Sequence, residues 1–514
     1  MQSRSQRLRT GACLAAFAVV AVAAAGRAAA ATADDIDAAL GQARARFGIP
    51  GMSVAVMLGG RIVYARGLGI ADLATRAPAT AGTVYPIGSV SKQFTAAGIV
   101  KLAESGALAV NDPVAGHVPQ YWPHGREATL QHLLRHTSGV REFFSVPAAA
   151  KLVEDPRGTI DDVMALVARE PLVFPTSSRW SYSNSGYHLA ARAIEKATGE
   201  PYERHLDAAF FTPLELRSLH HCKAAPVPPQ EATGYVRRRG ATVVAPWENM
   251  NTARGDGGLC GSAIDLARWA RLLARGEAVD ATGFARMSAP TPTAGGPVAP
   301  YGMGLGLLPL DGRPRVSHTG AIGGFSSALA YYPRDDLAIA VLTNLGGFPV
   351  EAVEQAVARA MLGLPPPTVR DLAVPDATRR RLIGGWEIGI PGFVIEVADA
   401  GGRLTVRMPA PGWSGALRYQ GGGRFATVAA PEAEQLQLPD DPAAPTLRVL
   451  MGDMHWTANR RRRLRADRTR RTIPGRHQRA APHRRVASPL SARGFSPAKR
   501  GSVDRLQVPA RRCG

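Results

Sequence analysis

The stretch that decides the fold is Tyr85-Pro-Ile-Gly-Ser-Val-Ser-Lys-Gln-Phe-Thr-Ala96, YPIGSVSKQFTA. In it Ser89 and Lys92 stand three apart, where a glycine-bearing turn gives way to apolar residues with helical spacing. That spacing runs from Val90 to Leu108, with Gly106 as the stop signal. One helical turn sets positions 89 and 92 on the same face. A serine hydroxyl is a weak nucleophile unless a neighbouring base takes its proton. A lysine serves as that base when desolvation or nearby positive charge brings its pKa toward neutrality. The plain alternative is a helix-capping serine and a surface lysine. The pattern alone does not choose, since Ser496-Pro-Ala-Lys499 also matches it in a segment with no helical pattern.

Outward from this stretch the chain reads as a helix, a hairpin, several helices, a run of strands and a last helix. Asp34 to Phe47 has an amphipathic helical pattern ended by Ile49-Pro50-Gly51, and MSVAVMLGGRIVYARGLGIAD reads as a hairpin turning at Gly59-Gly60. Leu130 to Leu134 and Ser185 to Thr198 read as helices, and Ser262-Ala-Ile-Asp265 as a capped start of another. YGMGLGLLPL, RPRVSHTG, GFSSALAYYP and DLAIAVLTN then read as consecutive antiparallel strands, and Pro349 to Leu362 as a last helix. The order predicts an α+β fold: an antiparallel sheet flanked by helices, with an inserted helical lobe. A proline-rich linker spans 363–378. Residues 379–459 are all-β in pattern and predict a small barrel-like domain.

Charge is distributed unevenly. The net charge of +21 suggests a polyanion partner, but residues 460–514 alone hold 18 Lys and Arg against 2 Asp, and four arginines lie near the N-terminus. The body between them is close to neutral, so no nucleic-acid partner is expected. Residues 460–514 are too poor in large apolar side chains to build a core and read as a basic disordered tail. Residues 1–33 read as a signal peptide: Arg4, Arg7 and Arg9, then apolar residues from Ala12 to Gly26, then small residues around Ala30. A periplasmic or secreted location follows as the expectation, with no membrane span after cleavage. Export makes a Cys222–Cys260 disulfide chemically accessible. The His220-His221-Cys222 cluster lacks a zinc-ligand spacing and is taken as structural.

Two further pieces change the weight of Ser89 and Lys92. Tyr182-Ser-Asn184 lies in the polar loop WSYSNSGY just before a helix, and His318-Thr-Gly320 ends a strand ahead of Ala321. Ser-x-x-Lys, Tyr-x-Asn and His-Thr-Gly in this order resemble the three motifs of penicillin-recognising serine hydrolases. The chain from about Asp34 to Leu362 thus resembles the class C β-lactamase and D-alanyl-D-alanine carboxypeptidase family, with its related esterases and D-aminopeptidases. LLRHTSGV, GGLCGSAIDLARW and SHTGAIGGF support the resemblance, and the β segment after the linker looks like the lipocalin-like domain of some members.

The resemblance implies roles. Ser89 forms an acyl-enzyme, and Lys92 and Tyr182 share proton transfer. Asn184 orients Lys92 and the substrate, while the amides of Ser89 and Ala321 make an oxyanion hole. His318, Thr319 and Gly320 line the substrate cleft along the strand edge. One departure lowers the expectation of penicillin hydrolysis: histidine stands at 318 where typical β-lactamases have lysine, and a neutral ring attracts a carboxylate poorly. The implied activity is a serine hydrolase acting on amide or ester bonds of D-amino acid peptides, β-lactams or related small acyl substrates, with no metal or cofactor. The alternative is a catalytically idle peptidoglycan- or β-lactam-binding sensor. The partner is a small-molecule or peptide substrate, and the oligomeric state is left open.

Overall fold

The computed structural model describes residues 32–461 apart from 223–230, 247, 295, 389–393, 409–412, 429, 432 and 453. The signal-peptide reading up to position 31 and the basic-tail reading from position 462 lie outside the described residues. Among the described residues no helix is long and apolar enough to cross a membrane.

A six-stranded antiparallel sheet forms the centre. Its strands are β1 (Gly51–Leu58), β2 (Arg61–Asp72), β3 (Ala77–Pro78), β4 (Val316–Ile322), β5 (Phe325–Tyr332) and β6 (Leu337–Thr343), in the spatial order β3-β2-β1-β6-β5-β4. Strands from the first and last parts of residues 34–362 therefore meet in the middle, where Val54 pairs with Val341. β1, β5 and β6 are buried along almost their whole length, because helices cover both faces. Alternation sorts their side chains. Met52, Val54, Val56, Ile339 and Val341 face a cluster shared with helices α1 (Ala33–Phe47) and α5 (Glu351–Leu362). Ala55, Met57, Ala338, Ala340 and Leu342 join the larger core on the opposite face.

That larger core contains the helical lobe. α2 (Lys92–Glu104) is buried at Phe94, Ala97 and Val100 and packs against α3 (Asn184–Thr198). α4 (Ala263–Ala274) stacks its Trp269 on Phe94, with ring centroids 4.0 Å apart. The predicted capping signal is used: the Ser262 side chain accepts from the Asp265 amide.

Two elements differ from the sequence reading. The expected α2 start at Val90 is instead a 3-10 turn, Gly88–Ser91, that leads into the α-helix at Lys92. YGMGLGLLPL is not a strand. It folds as bends with single bridges, Tyr301 to Gly306 and Gly306 to Ser317. Its glycines account for this. A Cβ at Gly302 would sit 1.9 Å from the Met287 carbonyl, and one at Gly304, where φ is +70°, would sit 2.7 Å from the Lys92 carbonyl.

After α5, the strands Gly384–Glu387, Val394–Ala400, Arg403–Met408, Trp413–Gly421, Arg424–Thr427, Glu434–Gln437, Thr446–Met451 and Met454–Arg460 close into an eight-stranded barrel. Trp386 to Arg460 is the closing pair. Its interior is filled by Trp386, Ile395, Val406, Phe425, Leu447 and their neighbours. The barrel core extends to Trp180, which packs against it from outside the barrel.

Candidate active site

Ser89 is the second residue of the 3-10 turn, and Lys92 is its cap. Side chains three apart eclipse in a 3-10 turn, which stacks the amine over the hydroxyl more directly than an α-helical turn does. Lys92 Nζ lies 3.0 Å from Ser89 Oγ. The turn is clamped on every side. The Ile87 amide donates to the Leu259 carbonyl, the Ser327 hydroxyl donates to the Ile87 carbonyl, and the Leu259 amide donates to Ser91 Oγ.

β4 passes this turn at very close range. A Cβ on Gly88, where φ is +51°, would lie 2.8 Å from the Ala321 nitrogen, and one on Gly320 would lie 2.0 Å from the Ile87 carbonyl oxygen. Glycine at both positions therefore brings the Ala321 amide beside Ser89. Two backbone donors next to one nucleophile can hold a developing oxyanion.

Lys92 is wholly buried. Besides Ser89 its amine donates to Asn184 Oδ1 and to the Asp256 carbonyl, each at 2.7 Å. Three donors meet three acceptors, an arrangement that suits the ammonium form. Burial opposes it more strongly and lowers the pKa to about 8, while Asp256 and Glu142 pull the value back up. Asn184 opens α3, and its side chain joins two groups: Oδ1 faces Lys92, while its backbone amide and Nδ2 donate to Glu142 at 2.6 and 3.1 Å. Burial raises the Glu142 carboxyl despite those bonds. His188 lies one helical turn on from Asn184, fully buried, with Nε2 2.8 Å from Asp256 Oδ1. The contact is close but not aligned as a linear hydrogen bond. Burial pushes the Asp256 carboxyl up, yet His188 and Lys92 hold it below the usual carboxylate range.

Tyr182 lines the same cavity as Ser89, and its phenol interacts with the Ser89 hydroxyl. Burial holds the phenol far above its ordinary pKa. The loop carrying it is fixed by His136. The Ser181 amide donates to the His136 carbonyl and the Ser183 amide to its Nδ1. The two rings lie 4.4 Å apart, and Lys92 Nζ is 4.9 Å from the Tyr182 ring centre.

These residues open into one cavity of about 340 Å³, lined by Ser89, Glu142, Tyr182, Asn184, Thr319, Gly320 and Ala321 among others. His318 takes a different place from the sequence reading. It is 1% exposed, with Nε2 2.9 Å from the Tyr301 hydroxyl and Nδ1 2.6 Å from its neighbour's carbonyl oxygen. A carbonyl only accepts, so Nδ1 carries the proton and Nε2 accepts from Tyr301. The wall of the cavity is thus formed by Thr319, Gly320 and Ala321, with His318 packed beneath near Tyr182. Glu142, His188 and Asp256 were not found from the sequence. They are single polar residues without a spacing pattern, and only the folded chain gathers them around Lys92.

Cys222 and Cys260 form a disulfide. His220 Nε2 and a Glu231 oxygen lie 3.0 Å apart, and the His220 Nδ1–H donates to the Ser218 carbonyl. This trio of His220, Glu231 and Cys260 has ligand-type atoms close together, but its sulfur is consumed by the disulfide.

With the geometry in hand, comparison places it among known proteins. The family model described as Beta-lactamase matches residues 36–363. A D-aminopeptidase from Brucella canis is 29% identical over 363 residues, 70% of this chain and 68% of that one. The octameric penicillin-binding protein homologue from Pyrococcus abyssi superposes with a TM-score of 0.60 at 25% identity, covering 83% of this chain and 99% of the other. A D-stereospecific amidohydrolase from Streptomyces sp. gives 0.55 at 25% identity, covering 64% of this chain and 98% of the other.

Proposed function

The chain belongs to the beta-lactamase family, and from that premise we propose that it is a serine hydrolase that cleaves amides of D-amino acids, either simple amides or the first peptide bond of short peptides. The observation that carries this reading is the buried Glu142 carboxylate in the same cavity as Ser89, one residue contact away from the Lys92 amine. An α-ammonium group stands two bonds from the carbonyl under attack, and a carboxylate beside Asn184 is its natural partner. The D-handedness rests on the D-aminopeptidase and D-stereospecific amidohydrolase relatives.

The pKa directions divide the proton work. Lys92, near 8, has an accessible neutral form, whereas Tyr182 is held as a phenol. Lys92 is therefore the base: its free amine takes the Ser89 proton as Oγ bonds to the substrate carbonyl carbon. The resulting oxyanion is held by the Ser89 and Ala321 amides. Tyr182 passes a proton to the leaving nitrogen and is reprotonated from the Lys92 ammonium, so the amine departs neutral. Water gives up a proton by the same route, bonds to the acyl carbon and releases the acid, restoring the Ser89 hydroxyl. We also place the protein outside the cytoplasm, a reading supported by the basic-apolar N-terminal pattern and the Cys222–Cys260 disulfide.

The test is a panel of D- and L-amino acid amides, short-chain nitrophenyl esters and nitrocefin, run on wild type, Ser89→Ala and Glu142→Gln. D-amide hydrolysis is expected, lost by about 10³-fold or more in Ser89→Ala. Glu142→Gln is expected to raise KM for D-amides more than for esters without an amino group. The absence of D-amide turnover, or its survival in Ser89→Ala, refutes the assignment.

A further inference from the structure

The cavity that holds Ser89 does not end in the catalytic region. Beyond Ala321 its lining passes to the chain leading into α5, with Phe348 and Val350, and then to the barrel, which contributes Ile388, Met408, Met451 and Trp456. The barrel is seated there by several contacts. Trp180, two residues before Tyr182, packs against the barrel core. Arg46 of α1 donates to the Val428 carbonyl at 2.7 Å. At Gly452, in the turn after Thr446–Met451, an added Cβ would lie 1.6 Å from a Glu351 oxygen, so that turn sits directly on the start of α5.

We propose that this barrel-walled end is the subsite for the substrate's side chain, and that it selects D-amino acid amides with large apolar side chains such as leucine, phenylalanine or tryptophan. The inference deepens the D-amide reading and rests on it. Three observations carry it. The four barrel residues are all apolar, and the apolar Phe348 and Val350 line the same cavity. The two carboxylates at this end are engaged by the protein itself: Glu434 accepts from the Thr427 hydroxyl at 2.5 Å, and Glu351 lies beneath Gly452. Trp456 is 8% exposed and belongs to the apolar core cluster of the barrel, so its ring carries that apolar surface into the cavity lining. A volume of about 340 Å³ holds both the reacting amide and a ring-sized side chain. Glu142, bonded to Asn184 beside the Ser89 turn, lines the same cavity from outside the barrel, so one substrate can set its ammonium against Glu142 and its side chain against the barrel residues.

The experiment measures kcat/KM for D-alaninamide, D-leucinamide and D-phenylalaninamide in wild type, Trp456→Ala, Trp456→Phe and Met408→Trp of the full chain. The readout is the phenylalanine-to-alanine ratio, since a contact of this kind is worth about 10- to 100-fold between substrates. Trp456→Ala, which removes the ring, and Met408→Trp, which fills the chamber, are each expected to lower the ratio at least about tenfold. Trp456→Phe is expected to keep it within about threefold, because the apolar ring remains. A small fluorophosphonate that labels Ser89 shows that each variant has assembled its site. If Trp456→Ala does not fold, Met408→Trp decides. Ratios that stay at the wild-type value in both overturn the subsite. If wild type cleaves no D-amide, the functional reading fails separately, and the chamber is then judged by the same ratio criterion on acetyl against octanoyl nitrophenyl esters.

Discussion

The rate of acylation is predicted to follow the neutral form of Lys92. An ordinary lysine titrates at 10.5, and burial of this one brings it to about 8. That shift is a bias of about 3 kcal/mol against the ammonium and enlarges the free-amine population at pH 7 by roughly 300-fold, to about a tenth of the molecules. Three acceptors around Nζ do not cancel it. kcat/KM for an ester substrate without an ionisable amine is therefore expected to rise about tenfold per pH unit from 5.5 and to level off above about 8. Asp256 works in the opposite sense, since its charge favours the ammonium. Asp256→Asn removes that charge, so the midpoint moves to lower pH even if the plateau falls. The assay is initial rates at constant ionic strength from pH 5.5 to 10, with far-ultraviolet circular dichroism confirming the fold at each pH. A flat profile, a midpoint in the carboxylate range, or an upward shift in Asp256→Asn would each show that Lys92 is not the base.

Two further outcomes follow from the local geometry. Gly320→Ala puts a methyl group 2.0 Å from the Ile87 carbonyl, so strand and nucleophile turn must part; a loss of about 10²-fold or more in kcat is expected, from one displaced oxyanion donor, with little change in secondary structure. Cys222→Ser with Cys260→Ser opens a loop closed over 38 residues, which corresponds to about 4 kcal/mol in the chain-entropy account, so the melting temperature should fall by several degrees while Ser89 labelling at 25 °C persists; an unchanged melt would mean that the unfolded chain gains no freedom from the cut.

Much of the fold was legible because its signals are local. Short, near-continuous apolar runs bounded by turn residues mark β1, β5 and β6, and Ser262 and Gly106 mark helix ends by their own side-chain or backbone chemistry. YGMGLGLLPL misled because its apolar residues mimic a strand while its glycines serve close approach to Met287 and Lys92, and neither neighbour is near it in sequence. The site was legible to the same extent. Ser89, Lys92, Tyr182 and Asn184 stand in short recognisable spacings, and the structure brings Ser89, Tyr182 and Asn184 into one cavity with the buried Lys92 bonded to Ser89 and Asn184. Glu142, Asp256 and His188 stand in none, yet Asp256 and Glu142 counter the burial that sets the Lys92 pKa.

What the order of residues determined by itself is which groups exist to do chemistry: a serine and a lysine one turn apart, a tyrosine two before an asparagine, glycines where two backbones must touch. Periodicity and spacing are properties of neighbours along the chain, and they survive without coordinates. Only the tertiary structure decided the electrical state of the lysine, the retreat of His318 beneath the wall, and the barrel's place at the end of the cavity. Each of those depends on burial by segments tens to hundreds of residues away, and desolvation is a property of enclosure in three dimensions.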